Sequence, residues 1–200
     1  MSPDDPYESI RTDAKLGPLA ERIGPLSVEP AEDFFERFVV SILRQQVSME
    51  SAAATRKRLF DAVAVTPEGI LSADDGTLRD AGLSRQKTRY VNNVARAFRE
   101  EGYSQSYFEA MEDDAIRAEL TSITGVGTWT ADMQLLFSLG RPDVFPVGDL
   151  GIRKGMTRLF EALAVEDRAR MCDRAKRWAP YRSYASLYLW HAVEGDGIDD

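Results

Sequence analysis

Apolar side chains return every three or four residues along most of this chain, a spacing that suits amphipathic helices and that a strand cannot use. Phe34, Phe35, Phe38, Val39, Ile42 and Leu43 form one such stripe. Ser48 stands where it can cap the next helix, with Leu59, Phe60 and Val63 turned inward. Thr66-Pro67-Glu68 reads as an N-cap followed by proline at the first helical position. Ser84 opens a further helix with Tyr90, Val91, Val94, Ala97 and Phe98 on its buried side, and Ser106 starts a short one. Ile116 and Leu120 lead into Gly125-Val126-Gly127, beyond which 130–139 is helical again. A loop with two prolines, 140–148, precedes a last helical set at roughly 150–162, 166–178 and 182–193. Residues 144–147 are too few, and too broken by proline, to make a strand. The expected class is all-α.

Composition then narrows the function. Two hundred residues, 44% of them hydrophobic, bury a core without covalent staples. Cys172 stands alone and His191 is the single histidine. The sequence therefore offers no internal disulfide, no four-thiolate zinc or iron–sulfur site and no histidine-based metal site. No apolar run spans a bilayer, and the first ten residues are polar and acidic, unlike a secretory signal. A soluble, cytoplasmic protein with no membrane partner is expected. The net charge of −8 counts against nucleic acid, because phosphate binding draws much of its affinity from basic residues. The charge is unevenly spread, however. Acids gather at both ends and over 109–114, with a frayed acidic tail at 194–200, while Arg and Lys collect in 79–99 and 153–158.

From Leu120 to Ala131 the sequence reads LTSITGVGTWTA. Two glycines around one apolar residue permit a tight turn between helices and a close approach of backbone to a ligand. The amides of Val126, Gly127 and Thr128 would then point outward at a helix N-terminus, where a phosphate oxygen fits. An ordinary helical corner would use the same residues. Asp149 follows the run VFPVG and stands directly before a helix, a good N-cap position. A cap also holds a carboxylate rigidly, so capping and catalysis are compatible there.

The glycine hairpin and the downstream VFPVGD run together resemble the helix-hairpin-helix DNA glycosylase superfamily, in which such a hairpin is followed by a Gly/Pro-rich loop and an aspartate. The resemblance implies that Asp149 is the catalytic aspartate. It also implies that the backbone carbonyls of Thr121, Ile123 and Val126 hold a monovalent cation. Bifunctional members carry a lysine where this chain has Trp129, so no Schiff base is expected at that position. Arg44-Gln45-Gln46-Val47-Ser48, with 52–54, is similar to the minor-groove segment of the 3-methyladenine DNA glycosylase II type, which gives Gln46 the wedge position and Gln45 a place beside it. Residues 82–87 and the stretch from Trp178 to Ala185 with Trp190 resemble further segments of that type. Trp129 and Tyr181 would then line the base pocket, with Met133 and Leu150 standing where the best-known pockets have tyrosines. Tyr184, Tyr188 and Trp190 recur at helical spacing and are read as core.

The expected architecture is two helical lobes with a central cleft: 1–33 plus 146–200 carrying Asp149, and 34–145 ending in the hairpin. The DNA-binding set is Gln45, Gln46, Gly125, Val126, Gly127 and Thr128. The expected activity is monofunctional excision of alkylated bases, of the 3-methyladenine or 7-methylguanine kind, from damaged double-stranded DNA by a monomer without a cofactor. A bifunctional glycosylase/lyase using another lysine, a non-catalytic DNA-binding hairpin module and an acidic protein-interaction scaffold are the rival readings.

Overall fold

The computed structural model describes residues 5–194, and the acidic tail beyond 194 lies outside them. In chain order the helices are α1 Pro6–Arg11, α2 Gly17–Ile23, α3 Phe34–Arg44, α4 Met49–Ala62, α5 Pro67–Ser72, α6 Asp75–Asp80 and α7 Arg85–Glu101. They continue with α8 Gln105–Phe108, α9 Asp113–Ser122, α10 Thr128–Phe137, α11 Leu150–Leu159, α12 Arg168–Ala175 and α13 Arg182–Glu194. The all-α expectation holds: there is no strand among the described residues. None of the described helices is long and apolar enough to cross a membrane.

Local chemistry sets the helix starts. Asp33, Ser48, Thr66, Ser84 and Asp149 each accept a bond from the amide three residues on, satisfying one of the donors that a helix start leaves unpaired. Ser104, not Ser106, caps α8. Several boundaries differ from expectation: α10 runs from Thr128 to Phe137, α11 stops at Leu159, and α12 spans Arg168–Ala175 before a 3-10 turn over Lys176–Trp178. On α7 the buried alanine is Ala95, while Ala97 is only half-buried, as are Phe60 and Val63.

The chain divides into two compact units, one of residues 29–140 and one that joins the residues up to Val28 with those from Arg141 onward. In the middle unit Phe34, Phe38, Phe98 and Phe108 pack edge to face around α3 and α7. Helix α10 is buried from Thr130 to Leu136, and its buried polar side chains have partners: Asp132 accepts from Arg117 and Gln134 from Ser138. In the other unit Ile10, Leu16, Ile152, Met156, Met171, Tyr188 and Leu189 form the core. There α11 packs tightly on α13, because a Cβ on Gly155 would strike the backbone of Leu189. Tyr188 donates its hydroxyl to the carbonyl of Gly24 at 2.7 Å, and Trp178 its indole N–H to Asp13 at 2.9 Å, which ties the N-terminal helices to α13 and its lead-in.

Candidate functional site

The unit formed by the two ends carries Asp149, Leu150 and Tyr181. The loop 141–149 is fastened to the start of α13. Arg182 grips Asp143 through two bonds, Nε to Oδ1 at 2.7 Å and Nη2 to Oδ2 at 2.9 Å. Val144 donates its amide to Ser183 Oγ at 2.9 Å. Arg153 reaches back from α11 and donates to the carbonyls of Val147 and Gly148 at 3.1 and 2.8 Å. The loop is therefore held from both sides up to the residue before Asp149.

Asp149 caps α11, its Oδ1 accepting from the Ile152 amide at 3.0 Å. The same oxygen accepts the indole N–H of Trp190 at 2.9 Å. Gly151 makes room for that indole, since a Cβ there would stand 2.7 Å from Trp190 Cδ1 and 3.0 Å from Asp149 Oδ1. Trp190 is thus not a plain core residue as its helical spacing suggested. It is half-buried and orients the carboxylate, and it was missed because periodicity reports burial and not hydrogen bonding. Tyr188, by contrast, is core at 1% exposure. Leu150 is 49% exposed, an unusual setting for a leucine. Tyr181 is half-buried, its ring edge-on to Tyr184.

The middle unit carries the rest. Gln45, Gln46, Gly125, Val126, Gly127 and Trp129 line one groove of about 750 Å³, together with Arg44 and Lys87. No carboxylate is among the described residues that line it, in a chain of net charge −8. The objection from net charge therefore does not apply locally. Burial pushes the Lys87 ammonium below the usual lysine range. Burial, with Arg44 and Arg56 nearby, lowers the Arg37 guanidinium to about 10.

The hairpin itself departs from expectation in one respect. Val126 does not present its amide outward, because that N–H closes the turn onto the carbonyl of Ile123 at 2.9 Å. Gly127 and Thr128 stand at the start of α10, where no side chain caps the helix. Gly125 has φ +106 and lies against the ring of Tyr90, so it needs glycine twice over. Gln45 is half-buried, its Nε2 donating to the carbonyl of Gly125 at 3.1 Å and to Thr130 Oγ1 at 3.0 Å. Gln46 is exposed with φ +55, a left-handed conformation that side chains disfavour. Met133, one turn after Trp129, is a core side chain at 6% exposure. The Thr121 and Ser122 hydroxyls donate back to the carbonyls of Arg117 and Glu119 at 2.7 and 2.6 Å. At Thr121, Ile123 and Val126 a cation would meet backbone carbonyls, hard oxygens, of which that of Ile123 already accepts the Val126 amide.

A family model described as HhH-GPD superfamily base excision DNA repair protein matches residues 39–180. The Bacillus subtilis protein YfjP, whose name assigns it provisionally to the DNA-3-methyladenine glycosylases, is 34% identical over 162 residues. That alignment covers 76% of this chain but only 56% of YfjP, so the chain spans little more than half of that relative. Among solved structures, the Schizosaccharomyces pombe 3-methyladenine DNA glycosylase Mag1, in complex with abasic DNA, is similar with a TM-score of 0.84 at 26% identity, over 93% of this chain and 95% of Mag1. A DNA-3-methyladenine glycosidase from Bacillus halodurans is similar with a TM-score of 0.82 at 32% identity, over 98% of this chain and 92% of that one.

Proposed function

The chain belongs to the HhH-GPD superfamily of base excision DNA repair proteins, and from that premise we propose that it is a monofunctional DNA N-glycosylase that excises alkylated bases from duplex DNA. The observation that carries this reading is the fixing of Asp149: one carboxylate oxygen receives both the Ile152 amide and the Trp190 indole. Cleavage of an N-glycosidic bond develops positive charge on the sugar, and a carboxylate already oriented stabilises that charge without reorganising. The same group orients or deprotonates the attacking water. A purine alkylated at a ring nitrogen is already cationic and leaves without a second carboxylate acting as acid, unlike the leaving-group oxygen of ordinary glycosides.

The remaining residues divide between substrate and scaffold. Gly127 and Thr128 offer amides to a backbone phosphate, and Gln46 fills the space vacated by the flipped nucleotide. Trp129, on the middle unit, and Tyr181, on the unit of the two ends, each offer an aromatic face that suits a cationic base. Asp149 belongs to the unit made of the two ends, and the hairpin to the middle unit. A monovalent cation on the Thr121, Ile123 and Val126 carbonyls would add positive charge beside the phosphate. The partner is damaged double-stranded DNA, bound by a monomer.

The test is release of free base from methylated duplex by the wild type and by Asp149→Asn, followed by alkali. The wild type should release 3-methyladenine or 7-methylguanine, with strand breaks appearing only after alkali, and the variant should release neither. Breaks without alkali, or an adduct trapped by borohydride, would favour a bifunctional lyase. Equal DNA binding by both proteins with no release would favour a non-catalytic module.

A further inference from the structure

Lys87 lies on α7, outside the hairpin, the Gln46 turn and the Asp149 loop. Its Nζ donates to the carbonyl of Leu43 at 2.6 Å. That carbonyl belongs to the last turn of α3, where helix geometry leaves acceptors unpaired and where a cation meets the negative end of the helix dipole. Two residues later the chain leaves α3 at Gln45, and Gln46 takes its left-handed conformation. A turn of that kind persists only when its surroundings hold it.

Its holds are visible on every side. Lys87 fixes the approach from α3, and Ser48 Oγ accepts the Ser51 amide at 3.2 Å on the exit into α4. Gln45 fastens the middle to the hairpin through Gly125 and Thr130. The hairpin in turn rests on α7: Asn93 Nδ2 donates to the carbonyl of Thr124 at 3.0 Å, and the Tyr90 ring fills the space beside Gly125. Lys87, Tyr90 and Asn93 recur at three-residue spacing, so neighbouring turns of α7 carry both elements.

We propose that Lys87 is a positioning residue that holds the Gln46 turn in register with the glycine hairpin, so that wedge and phosphate grip engage DNA together. The proposal rests on the glycosylase reading for its purpose, but the linkage itself belongs to the protein alone. The half-buried amine is expected on this view, since the carbonyl it serves replaces water.

Lys87→Met keeps the length of the stem and removes the donor, while Lys87→Arg restores a cationic donor. The substrates are duplexes with one methylated purine, paired or placed opposite an abasic analogue, where flipping costs less. Lys87→Met should slow single-turnover excision about tenfold on the paired lesion and by less than about threefold on the unpaired one. Lys87→Arg should recover most of the rate, and adding Gln46→Ala to Lys87→Met should cost little more, as for two changes in one unit. Amide hydrogen exchange at residues 45–47 should be faster in Lys87→Met whether or not any base is released. Unchanged exchange there, or an equal rate loss on both substrates, overturns the proposal. If the wild type releases no base, the glycosylase reading fails, and the exchange measurement still decides the linkage. Should Lys87→Met not fold, Lys87→Leu, which also lacks a donor, carries the same comparison.

Discussion

The indole N–H of Trp190 and the amide of Ile152 meet on one oxygen of Asp149, at 2.9 and 3.0 Å. The cap alone fixes the carboxylate relative to α11, and the indole adds a second direction from α13. Trp190→Phe keeps an aromatic ring and removes the donor. Hydrogen bonds to charged groups contribute about 1.5–3 kcal/mol, so single-turnover excision should fall about ten- to a hundredfold. Affinity for a duplex with an abasic site should change little. An unchanged rate would mean that the cap orients Asp149 by itself.

Gly151→Ala perturbs the same contact without replacing either partner. Its methyl would stand 2.7 Å from Trp190 Cδ1 and 2.9 Å from Nε1, so the indole must shift. Overpacking of this kind costs about 1–3 kcal/mol. The variant should melt lower and lose activity in proportion to that of Trp190→Phe. Combining the two should be less than additive, because both remove one hydrogen bond.

These residues also show what the sequence can express. The caps at Ser48, Thr66, Ser84 and Asp149 were legible because each bond spans three residues, and the stripe on α3 because burial there follows the helical period. The Gly125-Val126-Gly127 turn was legible as a turn. That Val126 spends its amide on Ile123 was not, since it depends on how the turn closes. Trp190 lies 41 residues from Asp149, and Lys87 44 residues from Leu43, and no local pattern marks such pairs. Helix α6 has only six residues, with Leu78 as its one buried side chain, too little for periodicity to register.

The ion pair that fastens the loop 141–149 should make stability depend on acid. Burial alone would raise the Asp143 carboxyl, but the Arg182 side chain and amide outweigh it and leave the group below the usual carboxylate range. Asp13 behaves alike: burial opposes, and the amides of Leu16 and Lys15 and the Trp178 indole prevail. A folded-state value below the unfolded one, about 3.9 for aspartate, means that the unfolded chain binds more protons in that range. Their stabilisation is thus complete above the unfolded value and is lost as pH falls through the folded ones. Melting temperature should drop on acidification below about pH 5, and Asp143→Asn should flatten part of that slope. Parallel curves for the two proteins would remove Asp143 from the account.

The two hairpin glycines should separate folding from DNA contact. Gly125 has φ +106 and the Tyr90 ring against it, so Gly125→Ala is strained in backbone and in space and should lower the melting temperature. Gly127 has φ −94, and a Cβ there meets nothing within 4 Å. Gly127→Ala should therefore fold and melt like the wild type. If the Gly127 and Thr128 amides receive a phosphate, the added methyl stands where the backbone must approach it. Binding to duplex DNA should then weaken about tenfold, or 1.4 kcal/mol, with the stability unchanged. Titration of a fluorescent duplex beside a melting curve for each variant decides the matter. Wild-type affinity in Gly127→Ala would place the phosphate contact elsewhere than on this turn.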